Sequence, residues 1–215
     1  MSAQLVIDVV VVARDHAASL GALLRDLPHR AIRSVVVVDR ASTDRTAEIA
    51  RDAGALVLRE PGGGYGAACL RAQAHFSALP RVPEALVFIP GDRAAAASAV
   101  ERLCEPIVQR GTELVLGVPQ ERVGRRRLGE TVVTTMIETV YRHRWSGIGP
   151  VRAIRFPALI ALGMSDRSDG WDVEMLIRAV KLGLGCDEVP LPDDGHRDRV
   201  SRRALLHLLR HATMR

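Results

Sequence analysis

The chain has few aromatic residues, since phenylalanine, tryptophan and tyrosine together make up 3% of its 215 residues. Its core must therefore rest on valine, leucine, isoleucine and alanine, within a composition that is 47% hydrophobic and typical of a globular protein. Cysteine is also scarce: Cys69, Cys104 and Cys186 are widely spaced, odd in number and show no metal-ligand pairing. We expect them to be reduced core residues of an intracellular protein rather than a disulfide framework.

Long hydrophobic runs are missing as well. No apolar stretch approaches the roughly 20 residues that cross a bilayer. The apolar run at residues 5–13 is interrupted by Asp8, which predicts a strand rather than a signal peptide. We therefore expect a cytoplasmic protein, with a peripheral position at the inner membrane surface as the alternative.

Lysine is nearly absent, because Lys181 is the one lysine among 30 basic residues. The net charge of +5 resides in a basic tail at 196–215, so residues 1–195 are balanced. This tail predicts either an amphipathic helix on an anionic membrane surface or a terminal helix docked on the domain. Nucleic-acid binding would rest on the tail alone, and no nucleic-acid partner is expected.

Apolar strand-like runs alternate with helical patterns along the chain. This order predicts an α/β class and one domain over residues 1–195, with a mostly parallel sheet flanked by helices. Predicted strands cover residues 5–13, 35–38, 55–58, 85–89, 113–117, 151–156 and 186–189. Predicted helices cover residues 17–27, 43–53, 67–78, 94–108, 125–143 and 169–182.

The second strand ends in a carboxylate. Four valines, Val35 to Val38, form an apolar run suited to a strand buried on both faces, and Asp39 follows directly. Ligands of open α/β sheets collect beyond the carboxyl ends of the strands, so Asp39 is expected to face a ligand. Further on, the glycines at 62–64 indicate either a flexible loop or a close approach of the backbone to a ligand.

Several stretches in this order resemble the family 2 glycosyltransferases of the GT-A fold, a Rossmann-like domain that binds nucleotide-diphosphate sugars. The branch that they resemble most transfers sugars to polyprenyl (dolichyl-type) phosphates. The stretches are VVVVDRASTDRTAEIARDAGALVLRE at 35–60, GYGAACLRA at 64–72, ELVLG at 113–117, IGPVRAIR at 148–155, ALGM at 161–164 and DGWDVEMLIRA at 169–179.

The resemblance implies a donor site. Asp39 matches the residue that holds the nucleotide base or ribose, and a carboxylate there can accept an N–H or hydroxyl. Other donor-binding residues are implied at Ala13, Arg14 and Asp15, which border the base, at Gly64, Tyr65 and Gly66, which line the pocket, and at Gly91 and Arg93.

The resemblance also implies the chemistry. Asp92 matches the second position of an Asp-x-Asp motif and is the candidate metal ligand for Mg²⁺ or Mn²⁺, which would neutralise the diphosphate leaving group. The acceptor-side candidates are Trp171, the general bases Asp172 and Glu174, and the phosphate-binding Arg152 and Arg155. The implied reaction is transfer of a sugar to a phosphate-bearing acceptor, polyprenyl or other, by direct displacement.

Three departures leave an alternative open. Val12 replaces the family's proline, Arg14-Asp15-His16 replaces a tyrosine–asparagine–glutamate run, and Pro90 replaces the first carboxylate of Asp-x-Asp. With Asp92 alone, either the metal keeps water and donor phosphates as further ligands or Arg93 supplies the positive charge. The alternative function is a catalytically impaired nucleotide-binding or protein-interaction domain.

Overall fold

A computed structural model describes residues 5–119 and 128–192. Its seven strands are β1 (Ile7–Ala13), β2 (Ser34–Asp39), β3 (Leu56–Arg59), β4 (Ala85–Pro90), β5 (Leu114–Pro119), β6 (Val151–Arg155) and β7 (Cys186–Leu191). The α-helices are α1 (Ala17–Arg25), α2 (Thr46–Asp52), α3 (Tyr65–Ser77), α4 (Val100–Arg110), α5 (Leu128–Tyr141), α6 (Phe156–Leu162) and α7 (Trp171–Lys181). A 3₁₀ helix, Ala94–Ala99, precedes α4.

The seven strands form one sheet in the order β3-β2-β1-β4-β6-β5-β7. Of the described strands, β6 alone runs antiparallel to both of its neighbours. The carboxyl ends of β1, β2 and β4 therefore lie side by side at one edge, as parallel strands require. The predicted α/β class and mostly parallel sheet are confirmed.

The core lies on both faces of this sheet. Because side chains alternate along a strand, Val9 and Val11 pack with α1 and α4, whereas Val10 and Val12 pack with α3 and α7. Aliphatic residues build most of both layers, as the shortage of aromatics predicts. Cys69 and Cys104 are buried free thiols, and burial raises the pKa of the Cys104 thiol to about 12.

One carboxylate lies inside this apolar strand region. Asp8 is fully buried in β1 and forms an ion pair with Arg33, and its Oδ1 also accepts the Ser34 hydroxyl at 2.7 Å. Buried charge is tolerated where it is paired in this way. The ion pair ties the start of β2 to β1.

Two elements differ from the sequence-based expectation. Phe156 was assigned to the end of a strand, but it begins α6, which the sequence analysis did not predict. Pro157 explains the change, because proline suits the first turn of a helix, where its missing N–H has no partner to lose. The alanine-rich run that starts at Ala94 first forms the 3₁₀ helix and becomes α-helical at Val100.

Within the described ranges, no helix is both long and apolar enough to cross a membrane. The basic tail at 196–215 and the arginine cluster at 125–127 lie outside the described residues, so the predictions for them stay predictions.

Candidate functional site

Several predicted donor residues meet at the carboxyl edge of the sheet. Ala13 pairs in register with Asp39, and Gly91 follows β4 directly beside them. A Cβ built on Gly91 would lie 3.0 Å from the Cβ of Ala13 and 2.7 Å from Nδ1 of His16, so this close approach requires glycine. Asp39 is 5% exposed, and its Oδ1 accepts the Ser42 N–H at 3.1 Å.

The loops after β1 and β2 are tied together by reciprocal hydrogen bonds. Asp15, in a left-handed conformation with φ of 53°, accepts the Thr43 N–H at 2.7 Å on its carboxylate. Asp44 accepts the Ala17 N–H at 3.0 Å, and the His16 N–H donates to the Thr46 hydroxyl at 2.8 Å. Hydrogen bonding from the Thr43 backbone lowers the pKa of Asp15. The Asp15 carboxylate thus braces the rim of the site, whereas the Arg14 side chain is exposed.

The glycine-rich turn packs against the segment before α7. The N–H of Gly66 donates to the Ser168 carbonyl at 2.9 Å, and that of Ala67 donates to the Arg167 carbonyl at 3.1 Å. A Cβ on Gly66 would lie 2.2 Å from the Asp166 carbonyl oxygen, and one on Gly64 would lie 2.7 Å from that of Arg167. These glycines therefore allow α3 to approach the 165–170 segment. That contact fixes where α7 begins.

Trp171 is the first residue of α7 and is fully buried. Its ring lies 5.1 Å from that of Phe88 and 6.2 Å from that of Tyr65, centroid to centroid. The structure does not support the predicted substrate contact for Trp171, because no part of its side chain is open to a ligand. Trp171 instead anchors α7 against β4 and α3.

Arg152 holds Asp172 in place. The Arg152 side chain is fully buried, and its Nη2 lies 2.9 Å from Oδ1 of Asp172. Nη2 also donates to the carbonyls of Ile148 at 3.0 Å and Gly149 at 2.7 Å. Its Nη1 and Nη2 donate within the protein and its Nε is buried without a partner, so the fully buried side chain does not favour the phosphate-binding role predicted for Arg152. The Asp172 side chain is 17% exposed, although its Oδ1 is buried beside Arg152.

Arg155 lies at the wrong end of the sheet for the role predicted for it. Because β6 is antiparallel to β4, Arg152 aligns with Phe88 near the carboxyl edge, whereas Arg155 aligns with Ala85 at the opposite edge. Three residues of a strand span about 10 Å. Arg155 is therefore turned away from the edge that carries Asp39 and cannot share an acceptor site with Arg152.

Glu174 is occupied by internal hydrogen bonds. It is fully buried, and its carboxylate accepts the N–H groups of Ser165 at 3.0 Å and Asp166 at 2.8 Å and the Ser165 hydroxyl at 2.7 Å. Arg178 completes an ion pair at 2.9 Å. The structure does not support Glu174 as a general base, because such a base must reach the proton that it abstracts. Glu174 instead clamps the segment that α3 packs against.

The Glu174 clamp predicts a pH dependence of stability. Burial raises the pKa of this carboxyl, but the hydrogen bonds from Asp166 and Ser165 and the charge of Arg178 together lower it below its usual 4.5. The unfolded chain therefore binds the proton first, so the stabilisation is complete above about pH 4.5 and is lost as the pH falls through the folded-state pKa.

We expect Glu174→Gln to reduce the loss of unfolding free energy between pH 6 and pH 3, measured by urea denaturation. Glu101→Gln, at an exposed position of α4, is the control. An unchanged pH dependence in Glu174→Gln would contradict the clamp.

Asp92 and Arg93 follow Gly91 at the end of β4, with Asp92 half-buried and Arg93 5% exposed. Across residues 5–119 and 128–192, no group of three or more histidine, cysteine or acidic side chains converges as a metal cage would require. A single carboxylate still fits Mg²⁺ or Mn²⁺, because these ions accept water and phosphate oxygens as their other ligands.

Sequence reasoning missed Arg40 and the hydroxyl residues that brace the rim. Ser42, Thr43 and Thr46 follow Asp39 closely, and the STDRT run was a readable signal for hydrogen-bonded turns. No sequence pattern marks Arg40, because its position beside α3 is visible only in the folded structure.

The family model for glycosyl transferase family 2 matches residues 8–159. The chain belongs to this family. An uncharacterized glycosyltransferase of Mycobacterium tuberculosis is 31% identical over 205 residues, covering 91% of this chain and 89% of the relative. Glycosyltransferase AglJ of Haloferax volcanii is 24% identical over 183 residues, covering 82% of this chain and 59% of that protein.

The fold matches that of a solved enzyme. Glucosyl-3-phosphoglycerate synthase from Mycobacterium tuberculosis, in complex with phosphoglyceric acid, superposes with a TM-score of 0.82 at 22% identity. The match covers 98% of this chain and 81% of the synthase. The same synthase with Mn²⁺, uridine diphosphate and phosphoglyceric acid gives a TM-score of 0.82 at 20% identity, covering 99% and 80%.

These comparisons confirm the predicted family, the GT-A α/β domain and the class of enzyme, a glycosyltransferase. They do not single out the polyprenyl-phosphate branch. The residue assignments within the site stay predictions, weighed by the geometry described above.

Proposed function

We propose that this glycosyltransferase transfers a sugar from a nucleotide-diphosphate donor to a phosphate-bearing acceptor. The observation that carries the proposal is the arrangement of two carboxylates in a chain of this family. Asp39 ends β2 at the carboxyl edge, and Asp172 stands in the first turn of α7, held by Arg152. We assign the first to the nucleoside of the donor and the second to the acceptor oxygen.

Asp39 is proposed to bind the nucleoside of the donor. Its Oδ1 is oriented by the Ser42 N–H, and a carboxylate can accept a further bond from a base N–H or a ribose hydroxyl. Because Gly91 has no side chain, the surface next to Asp39 stays open to a ligand. Since the synthase with the same fold is crystallised with uridine diphosphate, uridine is the first nucleoside to test.

Asp92 is proposed to hold a divalent ion with the donor. The synthase is crystallised with Mn²⁺ or Mg²⁺ alongside uridine diphosphate, which supports the same class of ion here. When bound, the ion supplies positive charge beside the diphosphate. Asp92 would contribute one oxygen ligand, since it lies half-buried two residues after the carboxyl end of β4.

Asp172 is proposed to act as the general base. The acceptor oxygen, a hydroxyl in 3-phosphoglycerate or a phosphate P–OH in a polyprenyl phosphate, attacks the anomeric carbon, its proton passes to the Asp172 carboxylate, and the bond from the anomeric carbon to the diphosphate oxygen breaks. Arg152 and the buried Trp171 fix the position of Asp172, which a positioned base requires. The nucleoside diphosphate leaves with both electrons of the broken bond.

Phosphoglyceric acid bound to the synthase supports a phosphate-bearing acceptor, and 3-phosphoglycerate is the first small acceptor to test. Polyprenyl phosphate remains the second acceptor, from the resemblance of the sequence to that branch.

The alternative function, a nucleotide-binding domain without transferase activity, is favoured by one observation. Pro90 leaves Asp92 as the one carboxylate of its motif.

Donor binding by Asp39 is tested by calorimetry with uridine diphosphate in Mn²⁺. We expect Asp39→Asn to weaken binding about tenfold or more, because the loss of a charged acceptor removes roughly 1.5–3 kcal/mol. The isosteric amide can still accept the Ser42 N–H, so the loop is retained. Asp52→Asn, at an exposed position of α2, is the control. Equal affinities of Asp39→Asn and the control would reject Asp39 as the donor ligand.

A further inference from the structure

Arg40 directly follows Asp39 at the carboxyl edge of the sheet. Its N–H donates to the Ala13 carbonyl at 2.9 Å, so its backbone still belongs to the β1–β2 pair. The next residue, Ala41, has φ of 56° in the left-handed region, where the chain turns away from the strand. Arg40 is thus held in a fixed place at the end of β2.

The side chain of Arg40 faces α3. Val36 and Val38 pack in the same cluster as Ala68 and Cys69, and alternation puts Arg40 on that face too. The charge of Arg40 acts on the Cys69 thiol, although burial keeps the pKa of that thiol well above its usual value. The first turn of α7, which carries Asp172, packs on the same helix, since the Tyr65 and Trp171 rings lie 6.2 Å apart.

The Arg40 guanidinium has no partner anion within the described residues. It is half-buried, its Nε is buried without a hydrogen-bond partner, and no ion pair to it is found within the described residues. A buried guanidinium donor without a partner is costly, and arginine in such places commonly binds carboxylate or phosphate through two parallel hydrogen bonds. Asp39, its neighbour in sequence, faces the other side of β2 because side chains alternate.

The position of Arg40 identifies the anion. With the nucleoside at Asp39 and the anomeric carbon at Asp172, the part of the donor that joins them is its diphosphate. Arg40 adjoins Asp39 in the chain, and both the end of β2 and the first turn of α7 pack against α3. Resting on the proposed function, we propose that Arg40 binds the donor diphosphate and holds it between the two carboxylates. A fixed guanidinium there supplements the single carboxylate that β4 offers to a metal ion.

The test compares the affinities of uridine diphosphate and uridine for the full chain, by calorimetry, in Mn²⁺ and again in EDTA. We expect Arg40→Met to weaken uridine diphosphate binding about 10- to 100-fold, the size of a hydrogen bond to a charged group, and to leave uridine binding within about twofold. Arg40→Lys should recover part of the loss, since it keeps the charge without the fork. Arg51→Met, at an exposed position of α2, is the control.

Each outcome decides the matter. Equal losses for the two ligands in Arg40→Met mean that Arg40 contacts the nucleoside, and unchanged binding means that it is a packing residue; either result overturns the proposal. If Arg40→Met lowers the midpoint of thermal unfolding, Arg40→Gln replaces it in the same comparison. Wild-type protein that binds uridine diphosphate no better than uridine would count against the proposed function itself.

Discussion

Replacing Asp172 by asparagine is expected to lower kcat by about 10²- to 10⁴-fold, the contribution of a positioned general base. The donor affinity should change little, because the amide fills the same space beside Arg152. The measurement is the initial rate of sugar transfer together with calorimetric donor binding. The loss should appear in kcat and not in the dissociation constant of the donor.

Two variants make the Asp172 test specific. Asp169→Asn changes an exposed carboxylate in the segment before α7 and should retain the wild-type rate. Glu174→Gln should lower the free energy of unfolding and have only a small effect on kcat, because its carboxylate is enclosed by Ser165 and Asp166. A rate for Asp172→Asn within a few fold of the wild type would contradict the assignment of the base.

Replacing Gly66 by alanine is expected to reduce the free energy of unfolding by about 3 kcal/mol, at the upper end of the cost of overpacking. The new Cβ would lie 2.2 Å from the Asp166 carbonyl oxygen and 2.9 Å from the Cβ of Trp171. Relief of this clash requires α3 to move away from the segment before α7, which breaks the Gly66 hydrogen bond to Ser168.

Gly62→Ala is the matched control for Gly66→Ala. It lies in the same glycine run, and a Cβ there would meet nothing within 4 Å. Urea denaturation of the two variants measures the difference, and donor affinity reports whether the site is distorted as well. Equal unfolding midpoints for the two variants would show that the α3–α7 contact is looser than described.

The alternation of strands and helices and the position of Asp39 could be predicted from the sequence because both depend on local patterns. A run of four valines that ends in a carboxylate specifies a buried strand and its carboxyl end. The glycine-rich turn could be located in the same way, but the segment that packs against it could not. The segment that Gly64 and Gly66 contact lies about 100 residues later in the chain.

The errors arose where function depends on direction and distant packing. The sequence of β6 shows arginines at 152 and 155, but it does not show that the strand is antiparallel, and that direction decides which arginine lies near the carboxyl edge. Nor does it show that Glu174 receives hydrogen bonds from Ser165 and Asp166. The sequence does not indicate a role for Arg40, because that role depends on how β2 and α7 both pack against α3.

The most direct test is a transfer assay with purified protein in Mn²⁺, which scores radiolabelled sugar moved from a panel of nucleotide-diphosphate sugars to 3-phosphoglycerate or to a short-chain polyprenyl phosphate. We predict transfer from at least one donor, lowered about 10²- to 10⁴-fold by Asp172→Asn and dependent on the acceptor phosphate. The proposed activity would be contradicted if the protein binds nucleotide but shows neither transfer nor donor hydrolysis with any pair of donor and acceptor. If Asp92→Ala also binds the nucleotide with unchanged affinity, the nucleotide-binding alternative is supported.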